Sequence, residues 1–219
     1  PYQEKLSTNF DAFLTYFIQG DVNYHLGVVT TSTIKSDETP YYCSEEEAEK
    51  IPDPGYLVGS GGAQKAYITP ETTNGAAIFS EWVNVGICGH GLEMGLEAAR
   101  MALTEPVVNG ANEGFLREEA YLSLIFVSDE QDSSPMGVND FINTFRDIKG
   151  QRSRDIFNAS ALVVKDLAEC KGEQLDWASP GTRYIDVAEQ TSGVTGNICE
   201  EDFEDMVTEL SLTSSRLTD

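Results

Sequence analysis

Seven residues, Ser128-Asp129-Glu130-Gln131-Asp132-Ser133-Ser134, gather three carboxylates and three hydroxyls. All are hard oxygen donors, the ligand type that suits Mg2+ and Ca2+. The segment leaves directly from Tyr121–Ser128 (YLSLIFVS), which is apolar on both faces, as in a central parallel strand covered by helices on each side. The carboxyl ends of such strands are where open α/β sheets bind ligands. Asp129 is the best candidate for direct coordination, and Ser128 and Asp132 complete the candidate metal set. Glu130 and Asp132 are expected to point outward or to act through other ligands. The competing reading is a polar turn whose Asp and Ser residues cap the helix that follows.

A second segment, residues 84–103 (NVGICGHGLEMGLEAARMAL), places glycines ahead of an amphipathic helix. Exposed N-H groups at its start would make an anion site. It is not a phosphate loop, because no Gly-Lys-Ser/Thr follows, and GICGHG lacks the βαβ setting of a dinucleotide fingerprint. His90 lies in this loop and His25 on a predicted strand, neither with partners at metal-ligand spacing. No Gly-x-Ser-x-Gly elbow occurs, and no cysteine carries a nucleophile signature. Asn158-Ala-Ser160 is a glycosylation triplet that falls within a predicted strand and is expected to be silent.

The elements that must position these residues follow from periodicity. Leu6, Phe10, Phe13, Leu14, Phe17 and Ile18 share one helical face, so residues 2–19 read as an amphipathic helix, and Asn23–Thr30 as a short strand. Residues 31–78 form a long excursion rich in Ser, Thr, Pro, Gly and acids, with possible edge strands at 56–58 and 65–69. Phe79, Trp82 and Val83 suggest a short helix, and Leu92, Leu96, Ala99 and Leu103 a clear one. A helix about Val138–Ile148, a strand at 156–164, and helices at 183–190 and about 200–212 complete the series. Alternating helices and strands predict one α/β domain with a doubly wound, mostly parallel sheet.

Fourteen Lys and Arg against 37 Asp and Glu give a formal charge of -23, which repels phosphate backbones and argues against nucleic acid as a partner. No apolar run approaches the roughly 20 residues that span a bilayer, so membrane insertion is not expected. Cys43, Cys88, Cys170 and Cys199 show no Cys-x-x-Cys spacing. Their even number in an acidic chain favours disulfides and an oxidising compartment, the alternative being four buried free thiols. The chain starts at Pro1 with neither an initiator Met nor a signal-peptide pattern, so the native N-terminus is expected to lie upstream.

The helix at 2–19, the strand HLGVVTTS, the helix GLEMGLEAARMAL, the strand with its acidic end LIFVSDEQD, and the run RYIDVAEQTSGVTGNIC resemble bacterial von Willebrand factor A domains over nearly the whole chain. The resemblance implies a vWA/Rossmann-like fold and a metal-ion-dependent adhesion site built from Asp-x-Ser-x-Ser, a Thr in a second loop and an Asp after a third strand. Asp129 matches the last of these. The Asp-x-Ser-x-Ser strand would precede the first helix and belong at the centre of the sheet, supplied by upstream sequence or a separate segment. The Thr would fall near Gly86–Gly91, where none occurs, and Thr30 and Thr31 end a different strand.

Pairing sequence neighbours, Cys43 with Cys88 and Cys170 with Cys199, fits this placement, whereas other pairings would span distant elements. The expected function is an adhesion-type module of a secreted, periplasmic or cell-surface protein, not an enzyme, that engages a protein or surface ligand. Mg2+ or Ca2+ would bind weakly or not at all in this chain alone. Two alternatives stand beside it. One is a hydrolase using Asp129 with His90 or Glu93, the other a structural module with a non-functional metal site.

Overall fold

The computed structural model describes residues 2–9, 13, 21–34, 43–62, 65–150, 156–171, 178–200 and 204–215. The elements are α1 (Tyr2–Thr8), α2 (Glu45–Ala48), α3 (Gly75–Val83), α4 (Gly95–Ala102), β1 (Leu122–Ser128), α5 (Val138–Ile148), β2 (Phe157–Val163), α6 (Thr182–Gln190), β3 (Thr195–Asn197) and α7 (Glu204–Ser215). The predicted continuation of the first helix to residue 19 lies outside the described residues, except Asn9 and Phe13.

The three strands form a parallel sheet in the order β1-β2-β3, with Leu122 opposite Phe157 and Ala161 opposite Thr195. Alternation along the strands divides the core into two clusters, since successive side chains point to opposite faces. Leu122, Phe126, Phe157, Ala159, Ala161 and Val163 pack with Leu96 and Ala99 of α4, Phe141, Ile142 and Phe145 of α5, and Tyr184 and Val187 of α6. Leu162 and Val164 pack the other way, with Tyr2, Phe79 and Val83 of α3, and Met206, Val207 and Leu210 of α7. Helices therefore cover both faces, and the fold is mixed α/β around an open parallel sheet.

Every residue of β2 is buried, whereas β1 is only half-buried over Ser123–Ile125. That difference follows from position: β2 is flanked on both sides, and among the described residues no strand pairs with the outer edge of β1. Small side chains in β2 let the return from α6 come close, and a Cβ on Gly193 would stand 1.7 Å from the Ala159 carbonyl oxygen. Asn158 is buried in β2, which keeps the glycosylation triplet out of reach.

Asn23–Thr30 does not form the expected strand. It makes two isolated antiparallel bridges, Leu26 with Ile68 and Val29 with Leu57, the partners lying in the two stretches read as edge strands. The chain pairs locally there because its neighbours are short turns of the excursion, which give no extended ladder to join. The excursion also ends earlier than residue 78, because α3 begins at Gly75. β3 was not anticipated; three residues, Thr-Gly-Asn, carry no period of their own and gain strand geometry only from β2.

Both disulfides pair as expected, Cys43 with Cys88 and Cys170 with Cys199, with Cα separations of 5.8 and 4.9 Å. Such bonds persist in an oxidising, extracytoplasmic environment. Among the described residues no helix is long and apolar enough to cross a membrane.

Candidate functional site

Four segments meet at the carboxyl end of the sheet: Thr31–Ile34, Gly86–Met94, Ser128–Ser134 and Ser179–Arg183. Hydrogen bonds tie them together. Met94 N-H donates to the Thr31 carbonyl at 3.0 Å, Ser133 N-H to the Glu93 carbonyl at 2.7 Å, and Ser179 N-H to the Asp129 carbonyl at 2.9 Å.

The inner half of the acidic segment is structural. Asp132, whose side chain is fully buried, accepts from the Leu96 N-H at 3.2 Å and from the Ser134 hydroxyl at 2.7 Å, and pairs with Arg183 at 3.1 Å. The Ser134 hydroxyl oxygen also accepts from Glu97 N-H at 3.0 Å, and the Tyr184 hydroxyl oxygen from Gly95 N-H at 3.1 Å. The first three N-H groups of α4 are thus all taken by side chains. This overturns the anion-site expectation for the glycine-led helix, because its donors are already satisfied from within the chain. Gly95 has a separate reason to be glycine: a Cβ there would stand 2.6 Å from the Tyr184 oxygen. Burial, then the Asp132 carboxylate, pushes the Tyr184 hydroxyl far above its ordinary pKa, so it stays protonated.

The sequence alternative of a capping turn is thereby realised, but on α4, which precedes β1, instead of on the helix that follows. At the start of α5 the N-cap is Gly137, with no side-chain cap. Asp132 does not point outward, as its sequence position suggested. Gln131 works similarly at the start of α6, its side-chain oxygen accepting from Arg183 N-H at 3.2 Å. Arg183, Tyr184 and Gln131 were not singled out from sequence; the one available signal was a charged-aromatic pair in the first turn of the helix that follows Gly181.

The outer half is different. Ser128 turns its hydroxyl back on the chain, donating to the Glu130 carbonyl at 3.0 Å and accepting from Glu130 N-H at 3.1 Å. Asp129 and Glu130 then stand at the rim, and among the described residues neither carboxylate has a cationic partner. Glu93 joins them from the neighbouring loop. Burial first, then the charges of Glu130, Asp129 and Asp132, raise the Glu93 pKa above the ordinary glutamate value, against a bond from Thr31 that lowers it. Glu130 is raised too, by burial and then by Asp129. Gln3 Nε2 donates to the Gly86 carbonyl at 2.9 Å, which ties the head of α1 to this end of the sheet, and Tyr2 beside it is pushed up by burial and then by the Asp129 charge.

Among the described residues no group of three or more His, Cys, Asp or Glu side chains is arranged to hold a metal ion. Of the candidate set, Asp132 is committed to α4 and Arg183 and Ser128 to its own turn, so only Asp129 offers free oxygens. These residues do not by themselves fit a divalent-ion site. Nor do the two histidines join the rim chemistry. His90 Nδ1 accepts from Leu92 N-H at 3.1 Å within its own loop, and among the described residues His90 makes no bond to Asp129. His25 stacks on Tyr67 at 4.4 Å and its Nδ1 contacts the Phe115 carbonyl oxygen at 2.9 Å.

No protein-family model matches the chain, no curated protein matches it, and no solved structure matches it.

Proposed function

We propose that this chain is a binding module of the von Willebrand factor A type, with a doubly wound sheet, and that it engages a protein or cell-surface ligand through the rim around Asp129. One observation carries the reading. At the carboxyl end of the apolar strand β1, Asp129 and Glu130 share a rim with Glu93, whose loop is tied to theirs by the Ser133 N-H to Glu93 carbonyl bond at 2.7 Å, without a cationic partner among the described residues, and two of the three are held above their ordinary pKa first by burial and then partly by neighbouring carboxylate charge. Unrelieved like charge on a firm scaffold is a reservoir of binding free energy for a partner that neutralises it.

The module belongs to a secreted, periplasmic or cell-surface protein, in keeping with two disulfides. It is a binder and not an enzyme. Mg2+ or Ca2+ alone binds weakly here, since Asp129 would need oxygen ligands that the other candidate residues have already committed elsewhere. A strand-forming segment along the outer edge of β1 is the further partner that the family resemblance implies.

The engagement of Asp132 and Ser128 favours a second reading, a structural module without a working metal site. Selection of binders from a random displayed-peptide library on the immobilised chain, in Mg2+ and in EDTA, distinguishes the two. The binding reading expects selected peptides to lose about tenfold or more in affinity on Asp129→Ala, at an unchanged urea midpoint. The structural reading expects no convergent binders, or binders indifferent to Asp129.

A further inference from the structure

We propose that the rim takes a basic, apolar protein segment, with Lys or Arg against Glu93, Asp129 and Glu130 and large apolar side chains against Ile34, Ile87 and Leu92. This deepens the reading of the rim as a binding surface and needs no bound metal ion.

Five large hydrophobic side chains are notably exposed among the described residues, and three of them, Ile87 at 75%, Leu92 at 49% and Ile34 at 44%, belong to the two loops beside the carboxylates. A lone exposed apolar side chain is unremarkable, but clustering marks interaction surfaces. These loops are also firmly built. The Ser32 hydroxyl oxygen accepts from His90 N-H at 3.0 Å and the hydroxyl donates to the Ile34 carbonyl at 3.2 Å. Thr33 donates to the Met94 sulfur at 3.1 Å, and Cys88, next to Ile87, is tied to Cys43. Gly89 lies against Ser32, where a Cβ would stand 3.1 Å from the serine Cβ. Apolar side chains held out on a pinned loop lose little entropy when a partner covers them.

Charge decides the partner's chemistry. Arg183, the cation that pairs with this acidic segment, is spent on Asp132. An acidic ligand would add to the repulsion among Glu93, Asp129 and Glu130, and a neutral apolar one would bury them unpaired, which is costly. A basic residue between apolar ones satisfies both halves of the surface. The net charge of -23 would speed its encounter.

The test uses a synthetic amphipathic Leu/Lys peptide, with Leu/Glu and Ser/Lys counterparts, titrated by fluorescence anisotropy at physiological salt in EDTA. The Leu/Lys peptide should bind best. Ile87→Ser with Leu92→Ser should weaken it about tenfold, and Glu93→Gln with Glu130→Gln by about fivefold or more. Asp147→Asn with Glu189→Gln removes the same charge from exposed positions on α5 and α6 and should change affinity by less than about twofold. Urea midpoints of all variants confirm that each is folded.

Equal losses in the rim and distant pairs would overturn the inference, leaving only general attraction to an acidic surface. So would a Ser/Lys or Leu/Glu peptide that binds as well as Leu/Lys, or no Leu/Lys binding at all. Leu/Lys binding that appears only with Mg2+ would also overturn it, while leaving the rim as a binding surface intact. Selected peptides indifferent to Asp129, by contrast, would remove the underlying reading.

Discussion

Asp129 and Asp132 stand three residues apart in one turn, yet they belong to different regions of the molecule. The inner region, Asp132 with Ser134, Tyr184 and Arg183, closes the start of α4 against the sheet, and the first three N-H groups of that helix each have a side-chain acceptor. The outer region, Asp129 with Glu130 and Glu93, holds carboxylates whose charges oppose one another. Identical chemistry is thus buried and paired in one region, where it supports the fold, and left without a cationic partner among the described residues in the other, where we propose that it serves recognition. An acidic cluster in a sequence therefore cannot be assigned to one role as a block.

The sharpest way to break this contrast is to remove each acid in turn. Asp132→Ala leaves Arg183 without its carboxylate and the Leu96 N-H of α4 without its acceptor, and should lower stability by about 3–5 kcal/mol, the range for breaking a buried pair. Asp129→Ala removes no partner and should stay within about 0.5 kcal/mol of wild type. Urea denaturation reads both. Similar costs for the two would dissolve the distinction between the regions.

The disulfides give a slightly smaller effect and locate it. Replacing Cys43 and Cys88 by serine opens a loop with a sequence separation of 45, and Cys170 with Cys199 one of 29. In the chain-entropy model these are worth about 4 and about 3.6 kcal/mol. The two pairs should differ in function more than in stability: loss of Cys43–Cys88 frees the loop beside Ile87 and should weaken rim binding, whereas loss of Cys170–Cys199 should spare it. Peptide anisotropy on both double variants checks this.

The smallest expected effect is the pH dependence of Glu93. Its folded pKa is raised, so its unfolded form loses the proton first as pH increases. Stability linked to this group is fully present below the ordinary glutamate pKa and is lost as pH rises towards and through the raised folded value. Glu93→Gln should therefore be more stable than wild type at neutral pH, with the advantage fading below the ordinary glutamate range. An advantage that persisted unchanged at acid pH would place its origin in packing and not in charge.

The parts of this picture that sequence reveals are those with a repeating signal. β1, β2 and the helix Val138–Ile148 emerge within a residue or two, because long apolar runs and a helical stripe through Phe141, Ile142 and Phe145 are dictated by burial. Asp129 is found at the strand end for the same reason. Asn23–Thr30 has the same local look as a strand and fails to become one, since a strand needs a partner ladder that local sequence does not encode. The division between Asp129 and Asp132 is equally hidden: it depends on Arg183 and Tyr184, half a hundred residues away, arriving beneath the turn from α6. Nor does the glycine-rich approach to α4 disclose that Ser134 and Asp132 occupy its N-H groups.

The measurement that bears most directly on the central claim is an amide chemical-shift map of the isotope-labelled chain titrated with the Leu/Lys peptide. The largest changes should fall in residues 31–34, 86–93 and 129–131, with the buried Asp132–Tyr184 network little affected. Changes centred instead on the outer edge of β1, or on the hollow lined by Lys65, Tyr67 and Asn112, would contradict the assignment of recognition to the outer carboxylates.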